Sequence, residues 1–151
     1  MIDEKPFLTL ASDRIFKAII LDGEDYKVLE NILSDILEED IEVINVLNSE
    51  LIPLNKGIKV QTVVNVEVNS KFDKTIIRRN LFYYTSIYSQ MNKRDKIKNI
   101  KKVIQVNLNY NNYGRELKEE IVLMNKKSGK IYDDSFKIIN VNALEVQKVM
   151  V

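Results

Sequence analysis

The segment that most limits how this chain can fold runs from Ile58 to Val68. Ile58, Val60, Thr62, Val64, Val66 and Val68 alternate with Lys59, Gln61, Val63, Asn65 and Glu67. β-Branched residues at a period of two specify a strand, because their stiff side chains pack well on a pleated surface and poorly against a helical turn. The run contains no Gly, Pro or Asp-Gly turn signal. It therefore predicts one long strand, or a hairpin whose turn has almost no length.

The neighbouring segments read as helices first and strands later. Ser12 or Asp13 can cap a helix carrying Ile15, Phe16, Ile19 and Ile20, which Gly23 ends. Asp25 can cap a second helix with Val28, Leu29, Ile32, Leu33, Ile36 and Leu37 on one face. Its acidic end, Glu38-Glu39-Asp40, opposes the helix dipole and implies exposure or a partner. Ile41–Leu47 reads as a strand and Asn48–Gly57, with Pro53, as a loop. Ile76–Met91 reads as a helix, and the basic stretch Lys93–Lys102 leads into a strand at Val103–Leu108. Asn109–Arg115 is a polar turn, and strands at Glu120–Met124 and Phe136–Ala143 are joined through Ser128-Gly129. The order ααββ(β)αβββ predicts an α+β fold in a single compact domain, residues 1–151.

Charge is distributed unevenly along this order. The formal net charge of +1 conceals a first section, residues 1–54, with 4 basic and 13 acidic side chains. Residues 55–118 carry 14 basic and 4 acidic, and residues 119–151 carry 5 of each. The chain has no His and no Cys. That excludes a Ser-His-Asp triad, a Cys nucleophile, an ordinary zinc site and an iron–sulfur cluster. Any metal would be a hard cation on oxygen ligands: magnesium, manganese or calcium. Acidic residues near the start, no disulfide and no long apolar run lead to the expectation of a cytoplasmic protein with no membrane span.

Glu67 and Asn69 point to the same strand face, and a carboxylate beside a second polar group can hold a hard cation and orient a water. The same pattern suits an ordinary solvent-facing strand. Lys71, Lys74, Arg78 and Arg79 can contact phosphates. Tyr83, Tyr84 and Tyr88 can stack on bases or pack in the core, and the spacing of four between Tyr84 and Tyr88 is that of packing residues.

Taken in order, these segments resemble the PD-(D/E)XK nuclease superfamily, specifically its recombination-promoting nuclease and transposase group. Ser12-Asp13-Arg14-Ile15-Phe16-Lys17 is similar to the family's opening helix. Asn48-Ser49-Glu50-Leu51, Asn65-Val66-Glu67-Val68-Asn69 and the Arg/Tyr helix Arg79–Gln90 follow in the family's order. Val103–Asn109, Ile121–Met124, Ser128-Gly129-Lys130 and Asp133-Asp134-Ser135-Phe136 extend the likeness over nearly the whole chain. The resemblance implies a restriction-endonuclease-like core, a mixed sheet flanked by helices, and magnesium-dependent DNA cleavage.

In that family an Asp on one hairpin strand and a Glu-x-Gln or Glu-x-Lys on the next hold the metal. Glu67 matches the Glu, Asn69 stands at the Gln or Lys position, and Lys59 stands where the Asp is expected. Lys reverses the charge of a lost ligand, and one carboxylate seldom holds magnesium. Asp13 and Glu50 are the weak candidates to replace it. The resemblance thus implies an eroded site: a phage or mobile-element protein that binds DNA or a protein without cleaving. The alternatives are an active magnesium endonuclease with a migrated ligand, and an interaction or inhibitor protein that engages a basic partner through acidic positions such as Asp35, Glu38 and Glu39. Self-association is left open.

Overall fold

The computed structural model describes residues 26–43, 51–55, 61–71, 73–92, 96, 102–110 and 116–143. Among these, two helices and six strands follow the order α1 (Lys27–Leu37), β1 (Glu42–Val43), β2 (Leu51–Asn55), β3 (Gln61–Asn69), α2 (Ile76–Asn92), β4 (Lys102–Asn109), β5 (Lys118–Met124) and β6 (Ile131–Asn142). The strands form one mixed sheet in the order β1-β2-β3-β4-β6-β5. β3, β4 and β6 run parallel, while β1–β2, β2–β3 and β5–β6 pair antiparallel. The α+β class and the mixed sheet with helices on it are as the sequence predicts.

The parallel centre explains the valine run. Parallel strands need a crossover connection, and α2 supplies it between β3 and β4. Such strands are covered on both faces. Val64, Val66 and Val68 lie with Ile104, Val106, Leu108 and Ile139 against Leu29 and Leu33 of α1. The opposite face places Val63, Val103 and Ile138 against Tyr84 of α2, with Ile87, Tyr88 and Phe136 beside them. Leu29 and Leu33 are almost fully buried, and each contributes about 1.5–3 kcal/mol by leaving water.

α1 ends where Glu38 turns left-handed at φ 57° and its N–H reaches the Ser34 carbonyl. The Ser34 Oγ then accepts the Ile41 N–H at 3.1 Å, which steers the chain into β1. The acidic end that opposes the dipole has its counterion within the chain. Lys118 of β5 pairs with Glu38 and donates to the Ile36 carbonyl at 3.2 Å. That pairing holds the Glu38 carboxyl below its usual range, chiefly through the hydrogen bond from Lys118.

The helix expected from Ser12 to Gly23 lies outside the described residues. One expectation changes: the segment Asn48–Gly57 contains strand β2. The described part of Ile58–Val68, from Gln61 on, lies in the single strand β3, and residues 58–60 fall outside the described residues. β2 and β3 form an antiparallel hairpin in the register Leu51↔Asn65 to Asn55↔Gln61. Pro53 made β2 read as loop. A proline in a strand is tolerated where its missing N–H has no ladder to serve, and the described β1 ladder reaches only Leu54. The last strand also begins earlier than Phe136, at Ile131.

Candidate functional site

The face of the sheet beneath α2 is apolar where the parallel strands begin and polar where they end. On β3 it carries Val63, Asn65, Glu67 and Asn69. In register beside them on β4 stand Val103, Gln105, Asn107 and Asn109. β6 adds Phe136, Ile138, Asn140 and Asn142 in step with β4. The carboxyl ends of parallel strands are where open α/β sheets collect their ligand-binding residues.

All seven of these amide residues are buried, Gln105 and Asn107 completely. Buried amides are tolerated only when hydrogen-bonded, and most of these are. Asn65 Nδ2 donates to Gln105 Oε1 at 3.3 Å, Gln105 Nε2 to Asn107 Oδ1 at 3.0 Å, and Asn107 Nδ2 to Asn140 Oδ1 at 2.9 Å. A second, shorter chain starts on α2. Arg79 Nη2 donates to Asn69 Oδ1 at 2.6 Å, and Asn69 Nδ2 to Asn109 Oδ1 at 3.0 Å. Both chains run in one direction and end on amide N–H groups, Asn140 Nδ2 and Asn109 Nδ2, that have no partner among the described residues.

Glu67 sits half-buried among these amides, with Asn107 as its register partner and Asn69 two residues on. The expected pairing of Glu67 and Asn69 on one face is present. A divalent cation does not fit the described part of this site. Asn69 and Asn107, the residues beside Glu67 on this face, are neutral amides, and a guanidinium already donates to Asn69. β2, the strand that pairs with β3 in the hairpin, reads Leu51-Ile52-Pro53-Leu54-Asn55 and contains no acidic residue. Among the described residues no three carboxylates are grouped to hold a metal. Lys59, Asp13 and Glu50 lie outside the described residues.

The basic candidates separate. Lys71 and Lys74 are exposed on the loop after β3, beside the carboxyl end of that strand, and Arg78 is exposed on the first turn of α2. Arg79 is half-buried and committed to Asn69. Asp73 opens α2: its carbonyl accepts the Ile76 N–H at 3.0 Å and its carboxylate the Thr75 N–H at 2.8 Å. The bonds from Thr75 lower the Asp73 carboxyl below its ordinary value.

The tyrosines separate too. Tyr84 is buried, packs on Phe136 with ring centres 4.2 Å apart, stacks with Tyr88 at 5.9 Å and donates its hydroxyl to the Ser135 carbonyl at 2.9 Å. Burial pushes that hydroxyl well above the usual phenol range. Tyr83 faces outward beside Phe82. Of the three, Tyr83 alone retains a surface suited to a base or another partner.

The buried amide cluster was not anticipated from the sequence. Its signal is that Asn65-Val66-Glu67-Val68-Asn69, Gln105-Val106-Asn107-Leu108-Asn109 and Asn140-Val141-Asn142 alternate polar residues, amides at every such position but Glu67, with aliphatics. A solvent-facing strand would carry Lys, Glu or Thr at such positions.

Comparison with known proteins agrees with this architecture. A search of curated proteins and a search of solved structures found no match. A family model described as PD-(D/E)XK nuclease family transposase matches residues 10–150. PD-(D/E)XK nucleases are generally magnesium-dependent, which is the chemistry the amides around Glu67 do not provide. With nearly the whole chain matched and the sheet and helices in place, the chain belongs to the PD-(D/E)XK nuclease family transposases.

Proposed function

We propose that residues 1–151 form one nuclease-like domain of a mobile-element protein that works in the cytoplasm, binding DNA without cutting it. The observation that carries this reading is the surroundings of Glu67: Asn69 and Asn107 where further metal-ligating groups would be needed, and Arg79 donating to Asn69. Water activation by a metal needs ligands that attract the cation. A neutral amide face with a guanidinium beside it gives weak attraction at best. Lys71, Lys74 and Arg78, exposed at the same end of the sheet, offer phosphate contacts. A basic protein partner on α1 is less favoured, because Lys118 already neutralises Glu38 within the chain.

The test is a plasmid-nicking assay with magnesium or manganese beside a binding titration on duplex DNA at low salt. The expected result is salt-sensitive binding without nicking, weakened by Lys71→Ala, Lys74→Ala and Arg78→Ala. Nicking that Glu67→Ala abolishes would establish instead an active enzyme with a ligand supplied by Asp13 or Glu50. Absence of DNA binding at low salt would refute the reading.

A further inference from the structure

β6 is longer than the strand it pairs with. Its register with β4 begins at Phe136↔Val103, so among the described residues Ile131–Ser135 run past the β4 pairing with β5 as their one paired strand, tied at the base by Lys102 to Asp134 and by Tyr84 to the Ser135 carbonyl. Five residues at about 3.3 Å each make an arm of about 16 Å. The arm leaves from the start of the parallel strands, the end opposite Asn69, Asn109 and Asn142. From Ile131 to Asn140 is about 30 Å along β6 by the same rise. The arm is therefore a surface separate from the Glu67 site.

Its tip is tightly built. The Asn125 side-chain carbonyl accepts the N–H groups of Lys127 and Ser128, at 3.0 and 2.9 Å. The backbone closes Asn125 against Lys130 at 2.8 Å, and Gly129 takes the left-handed φ of 70° that the turn requires. On this frame stand Lys126, Lys127 and Lys130, all exposed and none ion-paired with a described residue. Below them Leu123, Met124, Ile131 and Tyr132 are exposed, Tyr132 to 84%. The arm's two acids do not cancel this charge at the tip. Asp134 is paired with Lys102 at 2.7 Å, and Asp133 accepts the Ser135 N–H at the base of the arm.

A two-stranded ribbon with a cationic tip and apolar flanks has the dimensions of a groove reader. The major groove, about 12 Å wide, admits such a ribbon. Strand addition by a protein partner is disfavoured, because the β5–β6 register is interrupted at Val122/Leu123 and Leu123/Met124, which breaks the ladder a new strand would copy. We propose that the β5–β6 arm is a second DNA contact, with Lys126, Lys127 and Lys130 on phosphates and Tyr132 against the groove. This rests on DNA being the partner, as argued above, and places a contact where the family's cleavage site is not.

The experiment is fluorescence anisotropy of a labelled duplex of about 20 bp over a series of salt concentrations. It compares the wild type, the triple variant Lys126→Gln/Lys127→Gln/Lys130→Gln, and Tyr132→Ser. Each lost phosphate contact flattens the slope of log affinity against log salt by about 0.9, so the triple variant should lose about 2.7. Tyr132→Ser should weaken binding at every salt concentration without changing the slope. All these side chains are exposed, so circular dichroism should show an unaltered fold. A wild type that binds no DNA overturns both readings. A wild type that binds, with the slope unchanged in the triple variant, overturns the arm alone. So does an effect confined to binding of phosphatidylserine vesicles.

Discussion

Replacing Asn107 by Ala removes a side chain that is completely buried, accepts from Gln105 and donates to Asn140. Two partners are orphaned at once. Gln105 Nε2 loses its acceptor, and Asn140 Oδ1 loses its donor on a side chain whose Nδ2 is already unpartnered. Each orphaned group costs about 1–3 kcal/mol. A water entering the vacated, polar-walled space would recover part of that, so the expected loss is about 2–5 kcal/mol. Val106 lies next door on the other face of the same strand and is equally buried. Val106→Ala should cost about 2–3 kcal/mol in lost burial and cavity. The polar truncation should thus cost at least as much as the apolar one. Urea unfolding at constant slope measures both. A double-mutant cycle with Asn140→Ala should then show a coupling of at least about 1 kcal/mol, since the second change removes a group the first left stranded. A loss under about 0.5 kcal/mol for Asn107→Ala, or no coupling, would refute the picture of a dry, continuous amide chain.

Other outcomes follow from single groups. Arg79→Ala should lower stability by about 1.5–3 kcal/mol through its charged bond to Asn69, whereas Arg78→Ala should leave the thermal midpoint unchanged and reduce only DNA affinity. Tyr84 ionises with difficulty in the fold and readily once unfolded. Its contribution is therefore complete below the free phenol pKa of about 10 and is lost as pH rises above it. Urea titrations from neutral to strongly alkaline pH should show that loss in the wild type and a flatter profile in Tyr84→Phe. Gly129→Ala meets no atom within 4 Å, so its cost is backbone strain alone, about 1 kcal/mol by calorimetry or urea unfolding.

Much of the fold was legible in the sequence because period and burial coincide in it. The face of α1, the start of α2 at Ile76 and the β4 run from Val103 are all periodic apolar segments whose pattern survives packing. β2 was hidden by Pro53, which signals a loop unless the neighbouring strands are known, and the described pairing with β1 stops at Leu54. Glu67 and Asn69 could be placed on one face from spacing alone. The amides that surround them could not, because amides in place of Lys or Thr signal burial in one strand without saying which neighbours they meet. Only the register of three strands brings Asn65, Gln105, Asn107 and Asn140 together. Arg79 was grouped with Arg78 for the same reason, since adjacent cations on a helix differ in role only by which way the helix is turned.

The amide rows also settle a question that aliphatic packing leaves open, namely which residue of one strand lies beside which residue of the next. Sliding β3 against β4 by one position would turn its valines to the wrong face. Sliding it by two would keep Val64, Val66 and Val68 against α1, since Ile104, Val106 and Leu108 are near-equivalent neighbours. That slip would, however, set Asn65 beside Asn107 and leave Gln105 facing Val63. Alignments that hydrophobic burial treats as nearly degenerate are thus separated by unmatched donors and acceptors. A protein with no disulfide and, among the described residues, no metal cluster keeps its central strands aligned by the same amide side chains that surround Glu67.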